Sequence, residues 1–162
     1  MNDPALDFDS WYRREYPRVL IAVSVVCAGD HARAEDATND AFAKAFERWT
    51  SVSAMKSPTA WVTKVAINRA KRSLRRRSRR IELLNAERLG TPVTDPDSGL
   101  DLWDSLASLT PRQRRAIVLR YIEDLPQQQV ADEMGIALGT ASATLSQARG
   151  HLRSELQAGD TP

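Results

Sequence analysis

The sequence predicts an all-α chain of two small helical domains joined by a flexible acidic linker, the second domain containing a helix-turn-helix. Three observations predict it. Apolar residues recur at three and four positions along the chain, with no sustained alternation of period two. The stretch "RLGTPVTDPDSGLD", with glycine, two prolines and three aspartates, interrupts that pattern. Ala131, Gly135, Ala141 and Leu145 stand at the spacing of two helices that meet across a left-handed turn. A chain of 162 residues suffices for two such units. The expected boundaries are 1–80 for the first domain, 81–101 for the linker and 102–157 for the second.

Taken in order, Phe8, Trp11 and Tyr12, then Val19, Leu20, Val23, Val26 and Cys27, form one apolar face, with Pro17 expected to break or kink the helix. Gly29 and Asp30 close this segment. A second helix over 31–49 places Ala34, Ala37, Ala41, Phe42, Ala45, Phe46 and Trp49 on one face and Glu35, Asp36, Asp40 and Glu47 on the other. "SVSAMKSP" reads as a loop. Ser57 and Pro58 then supply an N-cap and a first-turn proline for a helix that buries Val62, Val65, Ala66, Ala70 and Leu74 and runs into "NRAKRSLRRRSRR".

After the linker, "LWDSLASL" leads into "TPRQRRAIVLRY", where Thr110 and Gln113 fit a capping box. A short helix over 126–134 follows, then a Gly135 turn and a last helix. The small Ala131 allows close helix approach, and Val130, Met134, Ile136 and Leu145 are expected to fill the space between the two.

Composition narrows the functional classes. With 42% hydrophobic and 27% charged residues, the chain reads as a soluble globular protein. Its most apolar run, "VLIAVSVVCAG", is too short to span a bilayer, and no cleavable signal precedes it, so no membrane insertion and a cytoplasmic location are expected. Cys27 is the only cysteine, which leaves no intrachain disulfide and no cysteine-based zinc site. The net charge of +2 conceals a division: residues 1–80 hold 16 Lys+Arg against 9 Asp+Glu, a net of +7, and residues 81–162 hold 7 against 12, a net of −5. A polyanion should prefer the first half.

Residues 69–80 contain eight Lys or Arg and no acid. They continue a helix with a buried face, so several of these cations are held in place, which suits nucleic-acid phosphates. The last helix is different. Residues 140–148 have the spacing of a DNA-reading helix but carry no charge.

Glu35, Asp36 and Asp40 share a helix but have too few converging oxygens around them for a hard-cation site. His31 and His151 stand near helix ends, as caps or surface groups. No phosphate-binding loop, dinucleotide fingerprint, HExxH or nucleophile elbow is present. No catalytic residue, cofactor or metal is expected, and the chain reads as a non-enzyme.

The order of these features resembles the ECF (extracytoplasmic function) sigma factors of bacterial RNA polymerase, within the sigma-70 family. "AEDATNDAFAKAFERW", "SPTAWVTKVAINRAKRSLRRR" and "LTPRQRRAIVLRYIEDL" followed by "VADEMGIALGTA" are similar to three of that family's segments, in register over nearly the whole chain. The resemblance implies that the first domain binds the polymerase clamp and the minus-ten element, and that the second binds the minus-thirty-five element and the flap. It implies that Glu35, Asp36 and Asp40 face the clamp, and that Asn68 contacts an unpaired base beside a pocket shaped by the loop 51–57. Lys64, Arg69, Lys71, Arg72, Arg75 and Arg76 would follow the backbone of the same strand.

In the second domain it implies DNA contacts from Arg112, Arg115, Gly139, Thr140, Ser142, Ala143, Thr144, Gln147 and Arg149, with Arg114 and Arg153 adding charge. Ser142, Thr144 and Gln147 stand where the family usually has basic residues, which implies weak autonomous binding to duplex. Pro126 replaces the usual serine cap.

The partners implied are core RNA polymerase and promoter DNA, with a monomer expected when free. Families of this type commonly have an anti-sigma factor, and no residue here points to one. No appended sensing domain is expected, so control would come from another protein or from expression. Two competing readings stand beside this one. The first is a helix-turn-helix regulator independent of polymerase, and the second is a helical adaptor whose basic stretch is incidental.

Overall fold

The computed structural model describes residues 7–83 and 100–159, and all of its regular elements among them are helical. The chain divides into two compact units, Met1–Pro92 and Val93–Pro162. The division falls inside the stretch read as a linker. Residues 84–99 of that linker, with its expected flexibility, lie outside the described residues, whereas residues 81–83 and 100–101 already belong to helices.

The N-terminal unit contains α1 (Phe8–Val26), α2 (His31–Glu47), α3 (Trp49–Ser53) and α4 (Pro58–Leu83). Helix α1 starts at Asp7, whose carboxylate accepts from the Ser10 amide at 3.3 Å. Pro17 does not break it: the helix is continuous, and the proline is exposed, so the missing backbone bond faces solvent. It ends where Ala28 and Gly29 adopt φ of 54° and 81°, and the Gly29 amide donates back to the Ser24 carbonyl at 3.1 Å. Asp30 then caps α2 through the Arg33 amide at 3.2 Å.

Helices α1, α2 and α4 pack against one another in pairs. Small residues on α2 and α4 (Ala34, Ala37, Ala41, Ala45, Ala66 and Ala70) are buried and let the backbones approach; Val19, Val23, Phe42 and Val62 fill the remaining space. Ile67 belongs to this core as well, while Val65 and Leu74 are only half-buried. Phe8, Trp11, Tyr12, Tyr16, Phe42, Phe46 and Trp49 make a continuous aromatic cluster, its ring centroids 4.9–6.0 Å apart.

Three expectations need correction here. The segment read as a loop begins with α3, which buries Val52 completely and so anchors the connection to the core. Helix α2 stops at Glu47, so Trp49 starts the next helix. Phe46, read on the same apolar face as Phe42, is 64% exposed and joins the cluster through a T-shaped contact with Phe8 at 5.0 Å.

The C-terminal unit contains α5 (Leu100–Ser108), α6 (Pro111–Ile117), α7 (Gln127–Met134) and α8 (Leu138–Gly159). The capping box forms as read: the Gln113 amide donates to Thr110 Oγ1 at 3.2 Å and the Thr110 amide to Gln113 Oε1 at 3.0 Å. Beyond α6 the backbone widens into a π-helical turn, Val118–Ile122, closed by the Glu123 amide on the Val118 carbonyl at 3.0 Å and followed by Asp124 at φ 54°.

Pro126 is the cap residue of α7 and not its first helical one; its extended backbone, ψ 151°, offers a carbonyl to Val130 and no side-chain acceptor. Gly135 closes α7 at φ 65°, with its own amide on the Asp132 carbonyl and the Ile136 amide on that of Ala131. Val130, Ala131, Ala141, Leu145 and Ala148 are buried between α7 and α8 and their neighbours. Met134 and Ile136 are only half-buried, so they close the edge of this interface and do not fill it.

A Cβ at position 135 would meet nothing within 4 Å, so the cost of replacing this glycine is purely conformational. The variant Gly135→Ala is expected to lose about 1 kcal/mol of stability, read by urea unfolding, because only the left-handed backbone penalises the side chain.

Candidate nucleic-acid interface

Helix α4 carries the densest charge. At about 100° per residue, the seven positions read as strand-contacting fall within an arc of roughly 160° that excludes the buried Val62, Ala66 and Ala70. Asn68, Arg69, Arg72, Arg75 and Arg76 are exposed, as is Lys64; Lys71 is half-buried.

The structure divides this set. Asn68, Arg69, Arg72 and Arg76 line an open groove of about 760 Å³ between α4 and α2. Lys64, Lys71 and Arg75 are not among its lining residues; Lys64 and Arg75 are exposed and Lys71 half-buried beside it. The groove therefore brings the asparagine and three cations together, with the remaining three on the flank.

The opposite wall is α2, and it too separates residues read as one set. Asp36 and Asp40, four positions apart, line the groove. Glu35 lies one residue and about 100° away, beside α1. There it adds to the forces on Tyr16, whose phenol is pushed up from its ordinary value first by burial and then by the nearby Tyr12 and Glu35. The Tyr16 hydroxyl donates to Asn39 Oδ1 at 2.9 Å on this same side.

The acidic and basic walls are in contact. Arg69 Nη1 lies 2.6 Å from Asp40 Oδ2. Asp30 Oδ2 lies 3.1 Å from Arg33 and 3.9 Å from Arg77. Arg33, Lys44, Arg77 and Asp30 line the groove as well, although the sequence reading named Asp30 only as closing the first segment and Arg77 only as part of the basic run. Asp30 carried a usable signal, an acid before a helical run, which marks a cap. The other three face the groove through packing that helical spacing alone does not give.

In the C-terminal unit the outward face of α8 presents Gly139, Thr140, Ala143, Gln147 and Arg149, all exposed, with Ser142 half-buried. Thr144 is corrected: it is 8% exposed, and its hydroxyl donates to the Thr140 carbonyl at 2.8 Å, so it serves the helix and not the outer face.

Arg114 is corrected as well. It is buried at 9% exposure and donates to the carbonyls of Leu106, Ala107 and Leu109 at the end of α5, satisfying groups that a helix terminus leaves open. Arg115, half-buried, donates to the Glu133 carbonyl at 2.8 Å and ties α6 to the end of α7. Arg112 and Arg153 are exposed.

The geometry is that of a binding surface. Ser108 and His151 are 2.8 Å apart, but the Ser108 hydroxyl donates to the Ser105 carbonyl at 2.6 Å, so its proton is not directed at the imidazole. Among the described residues no group of three or more His, Cys, Asp or Glu could hold a metal ion. No helix among them is long and apolar enough to cross a membrane.

Residues 11–80 match the family "Sigma-70 region 2" and residues 99–152 match "Sigma-70, region 4". The chain is 30% identical over 161 residues to the RNA polymerase sigma-E factor of Streptomyces coelicolor, covering 96% of this chain and 89% of that protein. It is 30% identical over 151 residues to the ECF RNA polymerase sigma factor SigL of Mycobacterium tuberculosis, covering 88% and 85%. Its fold is similar to that of the sigma factor RpoE of Bartonella quintana, solved in complex with the anti-sigma factor NepR, with a TM-score of 0.76 at 23% identity over 93% of this chain and 97% of that one. Two helical units in this order, each matching one sigma-70 region, with 30% identity to these sigma factors along most of the chain, place the chain in the sigma-70 family of transcription initiation factors, in its extracytoplasmic function branch.

Proposed function

We propose that this protein works in the cytoplasm as a promoter-specificity factor, binding core RNA polymerase and promoter DNA without catalysing a reaction itself. One observation carries the residue-level reading: the exposed Asn68 stands in a groove beside Arg69, Arg72 and Arg76, facing a wall that carries Asp36 and Asp40. Asn68 offers both donors and acceptors to the edge of an extruded base. Extrusion costs a few kcal/mol, which cation contacts to the neighbouring phosphates offset. Lys64, Lys71 and Arg75 extend that cationic track along α4. Asp36 and Asp40, with Glu35 on the adjoining side of α2, face the polymerase.

The C-terminal unit places the N-terminal turns of α8 on duplex DNA. Gly139, Thr140, Ser142, Ala143 and Gln147 make polar and close-approach contacts, Arg112, Arg115 and Arg149 supply charge, and the helix N-terminus attracts a phosphate through its dipole. With so few cations the unit depends on being tethered; its effective concentration on the promoter is set by the polymerase and by the N-terminal unit.

Core polymerase pull-down at moderate salt, followed by run-off transcription on genomic fragments, tests this function. Retention of the chain and discrete transcripts are expected. Absence of association would leave the polymerase-independent regulator as the surviving reading, for which the exposed outer face of α8 would have to bind duplex tightly on its own.

A further inference from the structure

The groove between α2 and α4 is closed on itself by charge. Arg69 is one of four strand-facing residues that line it, and Asp40 is one of two polymerase-facing residues that do so. These two meet at 2.6 Å, across 29 residues of sequence, with side chains 45% and 57% exposed. We infer that the Asp40–Arg69 ion pair is a coupling element: in the free protein it holds the strand-binding cation on the polymerase-binding carboxylate, and each partner frees the group that the other needs. This rests on the reading of α2 and α4 under the proposed function.

A phosphate that captures Arg69 must displace the Asp40 carboxylate, and a cation from a protein partner that captures Asp40 must displace Arg69. Breaking the pair once serves both events, so the second partner binds a group already released. Linkage requires the effect to be reciprocal. The other ion pairs of the groove are not equivalent. Asp30, between Arg33 and Arg77, also caps α2 through the Arg33 amide, so its loss damages the helix as well as the pair. Asp40 lies inside α2 and caps nothing, which leaves it able to exchange partners. Lys44 and Asp36, one turn to either side, also line the groove.

An exposed ion pair of this kind is worth little, and the expected coupling is correspondingly about threefold in affinity. The test uses the full chain and a fluorescently labelled single-stranded oligonucleotide of mixed sequence at low salt, with Asp40→Asn, Arg69→Gln and the double variant. Asp40→Asn is expected to bind about threefold more tightly than the parent, and the gain is expected to vanish in the Arg69→Gln background. Both side chains are exposed, so helical circular dichroism should be unchanged in all four proteins.

An equal gain in both backgrounds would mean that Asp40 acts only by general repulsion, and no gain at all would mean that the pair does not restrain Arg69; either result overturns the inference. Neither outcome bears on whether the chain associates with core polymerase. Conversely, failure of the polymerase pull-down would overturn the proposed function while the cycle still reported the restraint on Arg69.

Discussion

Replacing Trp11 by alanine is expected to destabilise the N-terminal unit severely. The indole is 1% exposed and sits at the centre of the aromatic cluster, with ring centroids 5.2 Å from Phe42, 4.9 Å from Trp49 and 5.8 Å from Phe8. Its Nε1 also donates to Thr59 Oγ1 at 3.4 Å, joining α1 to the first turn of α4. Truncating a buried tryptophan costs about 3–5 kcal/mol in lost transfer energy and cavity formation. A domain of this size has roughly 5 to 10 kcal/mol of stability in total, so a large share of it is removed. Chemical denaturation of the full chain, followed by amide exchange over 8–83, should show this unit opening first while 100–159 remains protected. A stability loss under about 1 kcal/mol would show that the cluster does not hold the three helices together.

The second large effect concerns charge. Replacing Arg72, Arg75 and Arg76 together by glutamine should leave the fold intact, because all three are exposed on the polar arc of α4. Each cation that neutralises a phosphate adds about 0.7 to the salt slope for a single strand. The triple variant is therefore expected to lose about two units of slope and on the order of a hundredfold in strand affinity at about 0.1 M salt. A titration of labelled single strand at several salt concentrations measures both quantities. A slope equal to that of the parent would remove these arginines from the phosphate track and favour the adaptor reading.

Much of this was legible in the sequence where one local cause dominates. Thr110 and Gln113 announced a capping box because the motif needs only residues three apart, and Gly135 announced a left-handed turn because few other residues tolerate one. The helix over 31–49 missed its end by two residues, for the same reason that its short successor α3 was missed: Val52 is buried where α3 packs on the flanking α2 and α4, and spacing within so short a segment carries no trace of that packing. Pro17 was overread. A proline lacks a donor everywhere, but whether it breaks a helix depends on whether the open carbonyl meets water or protein.

The candidate site divides along the same line. The family resemblance named Asn68 with Lys64, Lys71 and Arg75 on this helix, and composition alone separated a basic first half from an acidic second. Arginine identity, however, did not reveal employment. Arg112, Arg114 and Arg115 stand within four residues, yet one is exposed, one fills the open carbonyls of α5, and one holds the end of α7. Thr144 looked like a reading residue and is a helix-internal hydroxyl.

The sequence by itself determined the helical class, the two units, their caps and turns, and the asymmetry of charge, because these follow from interactions a few residues long and from sums over residues. Tertiary structure decided which charges face one another. Asp40 and Arg69 become partners only when α2 and α4 pack at the distance their buried alanines permit, and electrostatic contact between side chains depends on separation in space, which no spacing along the chain encodes.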